Sequence, residues 1–176
     1  MSSIFTSSVD FFEKLVALIL IILLLPIFII ISILILLIDD QKILFKQIRV
    51  GYKGKLFKVY KFRTMKNSFG EIQITSSDDK RITKLGKALR KFKLDELPQL
   101  FNILNGTMSF VGYRPEVPMY VDLNNKLWEK VLIDKPGITS KATIFFRSEE
   151  NILKNTSLDK EYFYKEYILP CKLLLT

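Results

Sequence analysis

Between Leu15 and Ile38 the chain carries no charge, and only Pro26 and Ser32 interrupt an otherwise hydrophobic run of 24 residues. A helix needs about 20 such residues to cross a hydrocarbon core. A signal peptide would have a shorter apolar run, a basic front and a small-residue cleavage site, so the segment is expected to stay on the protein as an anchor. Pro26 stands in its middle, where proline removes one backbone hydrogen bond and clashes with the preceding turn. Two outcomes follow. A modest kink leaves a spanning helix with its N-terminus outside, whereas a sharp break makes the chain dip into the bilayer and return to the same face. Kinked spans are common, so spanning is the default on physics alone.

Charge is segregated around this run. Residues 1–40 carry a net −3, and residues 41–176 hold 26 basic and 14 acidic side chains, a net +12. The basic residues begin directly after the apolar run, in QKILFKQIRVGYKGKLFK, so the positive-inside rule puts the C-terminal part in the cytoplasm. The excess also suggests contact with anionic headgroups or anionic substrates. The single cysteine, Cys171, precludes an internal disulfide, and the absence of histidine excludes imidazole bases, Ser-His or Cys-His nucleophiles and HExxH-type zinc sites. Chemistry here must use carboxylates, Lys, Arg, Tyr, hydroxyls or a hard metal bound through oxygen.

Past the anchor, ILFKQIRV and KLFKVYKFRTM read as two strands joined by GYKG, a hairpin signal. KNSFGEIQITSSDD reads as a loop. RITKLGKALRKFK reads as an amphipathic helix, with Ile82, Leu85, Leu89 and Phe92 on one face and Arg81, Lys84, Lys87 and Lys91 on the other. It either packs on a domain core or lies in the membrane interface; the anchor on the same chain favours the interface. Asn105-Gly106 marks a helix end, DKPGITSKATIFFR a turn into a strand, and LDKEYFYKEYILPCKLLLT a helix interrupted at Pro170. The apolar helix is expected to start near Ser8.

The stretch KLDELPQLFNIL, residues 93–104, sets Asp95 beside Glu96 with Pro98 close behind. One reading is a helix start, with Asp95 as N-cap and Pro98 in the first turn. The other is a catalytic carboxylate pair. Six short motifs decide the preference: FKQIRVG, YKFRTM, RITKLGKALR, LDELPQLFNIL, GTMSFVGYRPE and KPGIT, in that order. Together they resemble the bacterial sugar transferase family, the monotopic phosphoglycosyl transferases, over nearly all of residues 10–172. The break reads Leu25-Pro26 where that family often has Ser-Pro, and GYRPE replaces its commoner GPRPE.

The resemblance implies transfer of a phosphosugar from a nucleotide diphosphosugar, usually a UDP-sugar, to a polyprenyl phosphate such as undecaprenyl phosphate. UMP is released at the cytoplasmic face of the bacterial inner membrane, with Mg²⁺ as cofactor. It implies a re-entrant anchor in place of the spanning default, and Asp95 as the nucleophile that forms an acyl-phosphate sugar intermediate. The residue chemistry is compatible. A carboxylate can attack phosphorus; Glu96 can hold the metal that offsets phosphate charge; a helix N-terminus at Asp95 would offer N–H groups to phosphate. Arg90 and Arg114 can clamp phosphate oxygens, and Lys61 and Arg63 match the family's motif as further phosphate or substrate contacts. A solvated surface role is the alternative for each of these four.

The expected architecture is thus α+β: a Pro-broken re-entrant membrane helix over residues 1–40, then a cytoplasmic catalytic domain over 41–176 built on a small β-hairpin and amphipathic interfacial helices. Expected partners are the donor, the acceptor, the membrane, and either a second copy or downstream glycosyltransferases. A nucleic-acid partner is not expected, since no helix carries a base-reading constellation. The alternative function is a shortened, non-catalytic basic module that binds anionic lipid or glycan-assembly partners.

Overall fold

Pro26 breaks the helix by starting a new one. In the computed structural model, which describes residues 2–39, 42–66 and 74–176 and the side chains from Ser8 onward, α1 (Ser2–Leu23) stops at Leu24. There the backbone turns to φ −90°, ψ 2°, and α2 (Leu25–Leu34) begins with the proline in its first turn. At that position the missing N–H leaves no bond unmade, so a mid-helix clash becomes a tolerated helix start. A π-helical turn, Ile35–Asp39, completes the second arm. Neither helix alone is long and apolar enough to cross a membrane; together Ser8–Leu23 and Leu25–Asp39 are, and they are bent by 59°. Because α1 starts at Ser2, Ser8 lies inside the helix instead of at its cap.

The bent apolar pair is packed against the rest of the protein. Ala17 of α1 is buried with Val59, Leu100, Ile103 and Met108, and Ile31 and Ile35 of the second arm are buried with Phe62 and Leu89. Each fully buried Val, Leu or Ile side chain contributes roughly 1.5–3 kcal/mol, so these two clusters hold the bend more firmly than any single polar tie. Polar ties add orientation. Ser109 Oγ and Phe110 N donate to Glu13 Oε1 at 2.5 and 3.2 Å, Lys135 Nζ meets Asp10 Oδ2 at 2.5 Å, and Thr83 Oγ1 donates to Asp39 Oδ2 at 2.8 Å. Phe11, Ile22, Leu23 and Leu37 stay exposed on the outer surface.

The two strands form as their alternation predicts. β1 (Leu44–Val50) pairs antiparallel with β2 (Leu56–Phe62), from Leu44 opposite Phe62 to Val50 opposite Leu56. The turn between them needs two left-handed residues, Lys53 at φ 53° and Gly54 at φ 75°. The expected loop over 66–79 lies in part outside the described residues, at 67–73. α3 (Lys84–Lys91) is shorter than its periodicity suggested, because Thr83 caps it by accepting from Gly86 N at 2.8 Å. Arg81 is instead folded back on Asp79, and Ile82 bridges to Met65. The apolar face of α3 is not free for lipid: Leu89 is buried and Leu85 packs with it against the second anchor arm, and only Phe92 points outward. Gly86 lets α3 lie close to the chain just beyond β2, since a Cβ there would lie 2.1 Å from Thr64 O.

A six-residue 3₁₀ turn (Leu94–Gln99) leads into α4 (Leu100–Leu104), which ends at Gly106 with φ 78° as the Asn-Gly pair implies. β3 (Ser109–Val111) then pairs in parallel with β4 (Gly137–Thr139), with α5 (Lys126–Val131) between them. Only Gly137–Thr139 of the expected strand forms a strand. Ser140 accepts from Thr143 N at 3.0 Å and so starts α6 (Lys141–Phe145), overriding the β-prone Thr-Ile-Phe-Phe. After α7 (Glu149–Asn155) comes α8 (Lys160–Phe163), a π-helical turn (Tyr164–Ile168) and α9 (Leu169–Leu174). The π turn delivers Pro170 to the first turn of α9, so the proline re-spaces the tail where an interruption was expected. Tyr164, Ile168 and Leu169 from this tail share the main core with Tyr113, Trp128 and Leu132. The whole is a mixed helical fold with two small sheets, compatible with the α+β expectation.

Candidate active site

Lys61 is on β2, Arg63 just beyond it, Arg90 in the last turn of α3, Asp95 and Glu96 on the 3₁₀ turn, and Arg114 after β3. The fold brings all six to one cavity of about 570 Å³. Nine basic and five acidic side chains line it, a composition suited to a multiply charged anion.

Glu96 is the centre of the charge arrangement. Its Oε1 accepts from Lys61 Nζ at 2.9 Å and from Arg114 Nη2 at 2.8 Å. Burial alone would raise its carboxyl pKa, but Arg114 and Lys61 overcome that and hold it well below the usual carboxylate range. The same contact raises Arg114, and burial lowers Lys61. Glu96 is therefore favoured as the anion that orients Lys61 and Arg114 at the cavity.

Asp95 differs from its neighbour in its bonding and in the direction of its pKa shift. It is buried, and its Oδ1 has no hydrogen-bond partner. Burial pushes its carboxyl above the ordinary value and Glu96 adds to this, while Lys61 and Arg90 pull it back. Asp95 is not a helix cap. Lys93, at φ 57°, reverses the chain between α3 and the 3₁₀ turn, and no side chain caps that turn. Pro98 sits inside the turn and a regular helix begins only at Leu100, so the carboxylate is left to the cavity. A six-residue turn also lacks the helix N-terminus anticipated for phosphate; here side chains supply the positive charge.

The remaining predicted residues are held in place. Arg90 donates through Nε and Nη2 to Glu150 Oε1 at 3.1 and 2.5 Å. Arg63 donates through Nε to Lys42 O at 3.1 Å and lies over the Phe45 ring, 5.8 Å from its centroid. Arg114 is fixed through its flanking backbone: Gly137 N donates to Tyr113 O at 2.9 Å, Arg49 Nη1 to Pro115 O at 3.1 Å, and Val50 N to Glu116 O at 2.9 Å. The first of these bonds requires β3 and β4 to touch; a Cβ on Gly112 would lie 2.3 Å from Lys135 O.

Sequence reasoning missed a second network on the same cavity. Arg49 Nη1 lies 3.3 Å from Glu116 Oε2, Tyr164 Oη donates to Glu116 Oε1 at 2.5 Å, and Lys172 Nζ reaches both Tyr164 Oη (3.2 Å) and Glu149 Oε2 (2.5 Å). Burial lowers Arg49 and raises Tyr164 well above the phenol range, so Tyr164 stays a donor. Arg49 and Glu116 stood inside FKQIRVG and GYRPE, where they were visible; Tyr164 and Lys172 had no local signal.

Among the described residues no group of three or more His, Cys, Asp or Glu side chains could hold a metal ion unaided. Glu96 and Asp95 can offer one or two carboxylate oxygens, and phosphate oxygens would have to complete the shell. That donor set fits Mg²⁺, which keeps few protein ligands in phosphate sites. Chemically, the cavity combines an unpaired buried carboxylate with fixed cations, the elements of nucleophilic attack on a diphosphate.

The sequence profile described as bacterial sugar transferase matches residues 4–175. The chain is 41% identical over 120 residues to the uncharacterized sugar transferase EpsL of Bacillus subtilis, covering 68% of this chain and 59% of that one. It is 42% identical over 127 residues to a UDP-glucose:undecaprenyl-phosphate glucose-1-phosphate transferase of Klebsiella pneumoniae, covering 68% of this chain and 27% of the relative. A UDP-N-acetylgalactosamine-undecaprenyl-phosphate N-acetylgalactosaminephosphotransferase of Aeromonas hydrophila is 41% identical over 107 residues, 58% of this chain and 25% of its own length. The matched region is thus a little over half of one relative and about a quarter of the other two.

Proposed function

Because this chain belongs to the bacterial sugar transferase family, we propose that it transfers a phosphosugar from a UDP-sugar to undecaprenyl phosphate and releases UMP. The relatives' names describe that reaction for two different sugars. The observation that carries the reading is Asp95 Oδ1, buried on the wall of a cationic cavity with nothing bonded to it. A module that only bound lipid would gain nothing from a carboxylate held unsatisfied at a cost of about 1–3 kcal/mol.

The reaction follows as two displacements. The Asp95 carboxylate attacks the sugar-proximal phosphorus, an aspartyl–phosphorus bond forms, and the bond to the UMP oxygen breaks. The acceptor's phosphate oxygen then attacks the same phosphorus; the aspartyl bond breaks and the carboxylate is restored. Lys61 and Arg114, oriented by Glu96, hold the diphosphate oxygens, and Arg90 contributes from α3. Mg²⁺, held by Glu96 and phosphate oxygens, would supply charge that offsets the repulsion between an anionic nucleophile and its target.

The anchor fits a protein working from one face. A 59° bend in an apolar pair, followed by a basic flank, supports re-entrant insertion with the catalytic part in the cytoplasm. Labelling an introduced Ser3→Cys thiol, with Cys171 replaced, from the periplasmic side would restore the spanning alternative. The reaction itself is tested with a panel of UDP-sugars, undecaprenyl phosphate and Mg²⁺. UMP should be released with at least one sugar, and without acceptor the protein should gain one phosphosugar in mass. EDTA should stop turnover and added Mg²⁺ restore it. No UMP from any donor would overturn the reading.

A further inference from the structure

A polyprenyl phosphate has two unlike parts, a phosphate that must reach Asp95 and a long aliphatic chain that stays in lipid. Its subsite therefore needs a cation at the edge of the cavity nearest the anchor, joined to lipid by an apolar path. One stretch of rim meets both conditions. The anchor's second arm ends at Asp39, and Ile43 packs back onto Ile31, Ile35 and Phe62. Arg63 is tied to this exit from the anchor by its bond to Lys42 O. Its guanidinium covers the ring of Phe45, and both residues line the cavity.

The hairpin register carries the argument to the catalytic pair. Phe45 lies directly opposite Lys61, so the two share one face of the hairpin, and Lys61 bonds Glu96. Phe45 is 38% exposed although it is aromatic and lines the cavity. It belongs to no hydrophobic core of the described residues. Farther along the same strand the lining is unlike this: Arg49 joins Glu116, Tyr164 and Lys172 in a set of mutually satisfied polar groups.

We propose that the Phe45–Arg63 rim is the acceptor subsite, in which Arg63 binds the phosphate of undecaprenyl phosphate and Phe45 leads its first isoprene units from the cavity mouth toward the anchor and the bilayer. The proposal rests on the phosphosugar-transferase reading for the identity of its ligand. The donor then occupies the remainder of the cavity, and the acceptor approaches the aspartyl intermediate from the lipid side.

Two measurements test it. The first is direct binding of undecaprenyl phosphate to the purified protein in detergent, read by native mass spectrometry for wild type, Arg63→Gln, Arg63→Lys and Phe45→Ala. Arg63→Gln should weaken binding at least tenfold, Arg63→Lys should recover part of it, and Phe45→Ala should weaken the full-length polyprenyl phosphate more than a two-isoprene phosphate. Excess phosphatidylglycerol should not displace the ligand. Equal binding by wild type and Arg63→Gln, or displacement by phosphatidylglycerol at equal concentration, would overturn the subsite. This result stands whether or not wild type releases UMP, so a failure of the reaction is separable from a failure of the subsite. The second measurement is the exchange of labelled UMP into UDP-sugar without acceptor, set beside the KM for acceptor in full turnover. A raised acceptor KM with a much smaller change in exchange supports the assignment. Exchange and transfer falling in parallel would move Arg63 to the donor and overturn it.

Discussion

Replacing Asp95 by Asn exchanges one oxygen for an amide nitrogen at nearly constant volume, and the structure gives the two consequences opposite signs. Burial, helped by the neighbouring Glu96, holds the Asp95 carboxyl above its ordinary range despite Lys61 and Arg90, so the ionised form weighs against the folded state. Removing the charge relieves that cost, while the buried amide still lacks a partner and retains an unsatisfied-group penalty of about 1–3 kcal/mol. The net expectation lies between no change and about 1 kcal/mol of added stability, a rise in Tm of at most about 2–4 °C for a chain of this size. Activity should fall at least about 10⁴-fold, or roughly 5.5 kcal/mol of barrier, because an amide oxygen is a poor nucleophile. Thermal melts in one detergent, UMP release and the intact mass after incubation with UDP-sugar read all three effects. An Asp95→Asn protein that melts several degrees lower yet transfers within tenfold of wild type would refute the reasoning, since the carboxylate would then serve the fold and not the phosphorus.

Glu96→Gln should do the reverse to stability: it leaves Lys61 and Arg114 facing each other without an anion, which is expected to cost about 2–4 kcal/mol after discounting their partial exposure, read as a lower Tm together with lost transfer. Because Glu96 is held below the ordinary carboxylate range, its contribution to stability is full above about pH 4.3, the unfolded value, and is lost as pH falls through its lower folded value; melts across that window check it. Asp95 has the raised pKa, so kcat/KM should decline on the acid side at a pH above about 4, and Asp95's own effect on stability should grow as pH falls. Arg49→Met removes the bond that steadies Pro115 O beside Arg114 and leaves Glu116 short of a cation; donor KM should rise several-fold, with Arg49→Lys in between.

The sequence and the structure part company at identifiable places. Lys61, Arg63, Arg90, Glu96 and Arg114 were legible because each stands in a short motif, and Pro26 because its backbone chemistry acts locally. The cap reading of Asp95 failed because Lys93 takes a left-handed conformation and occupies the cap position itself, which a lysine does not advertise. The interfacial lean for α3 failed because periodicity identifies an apolar face without identifying what covers it; Leu89 found Ile31 and Ile35. Glu150, Tyr164 and Lys172 were invisible for a related reason. Their partners Arg90 and Glu116 lie 60 and 48 residues away for the two bonds made by Glu150 and Tyr164, and nothing local encodes such a meeting.

The late position of Tyr164 and Lys172 in the chain bears on how the cavity comes into being. A ribosome delivers this polypeptide from its N-terminal end, so the apolar bend emerges and can enter lipid before any wall of the cavity exists. Asp95 follows, while Tyr164 and Lys172 of the cavity lining are still to be made. Only when the tail has been made and the π turn has seated it against Glu116 is the polar wall closed. Birth order thus lets the apolar bend emerge while the cavity is still incomplete, and the lining beside Glu116 is finished last.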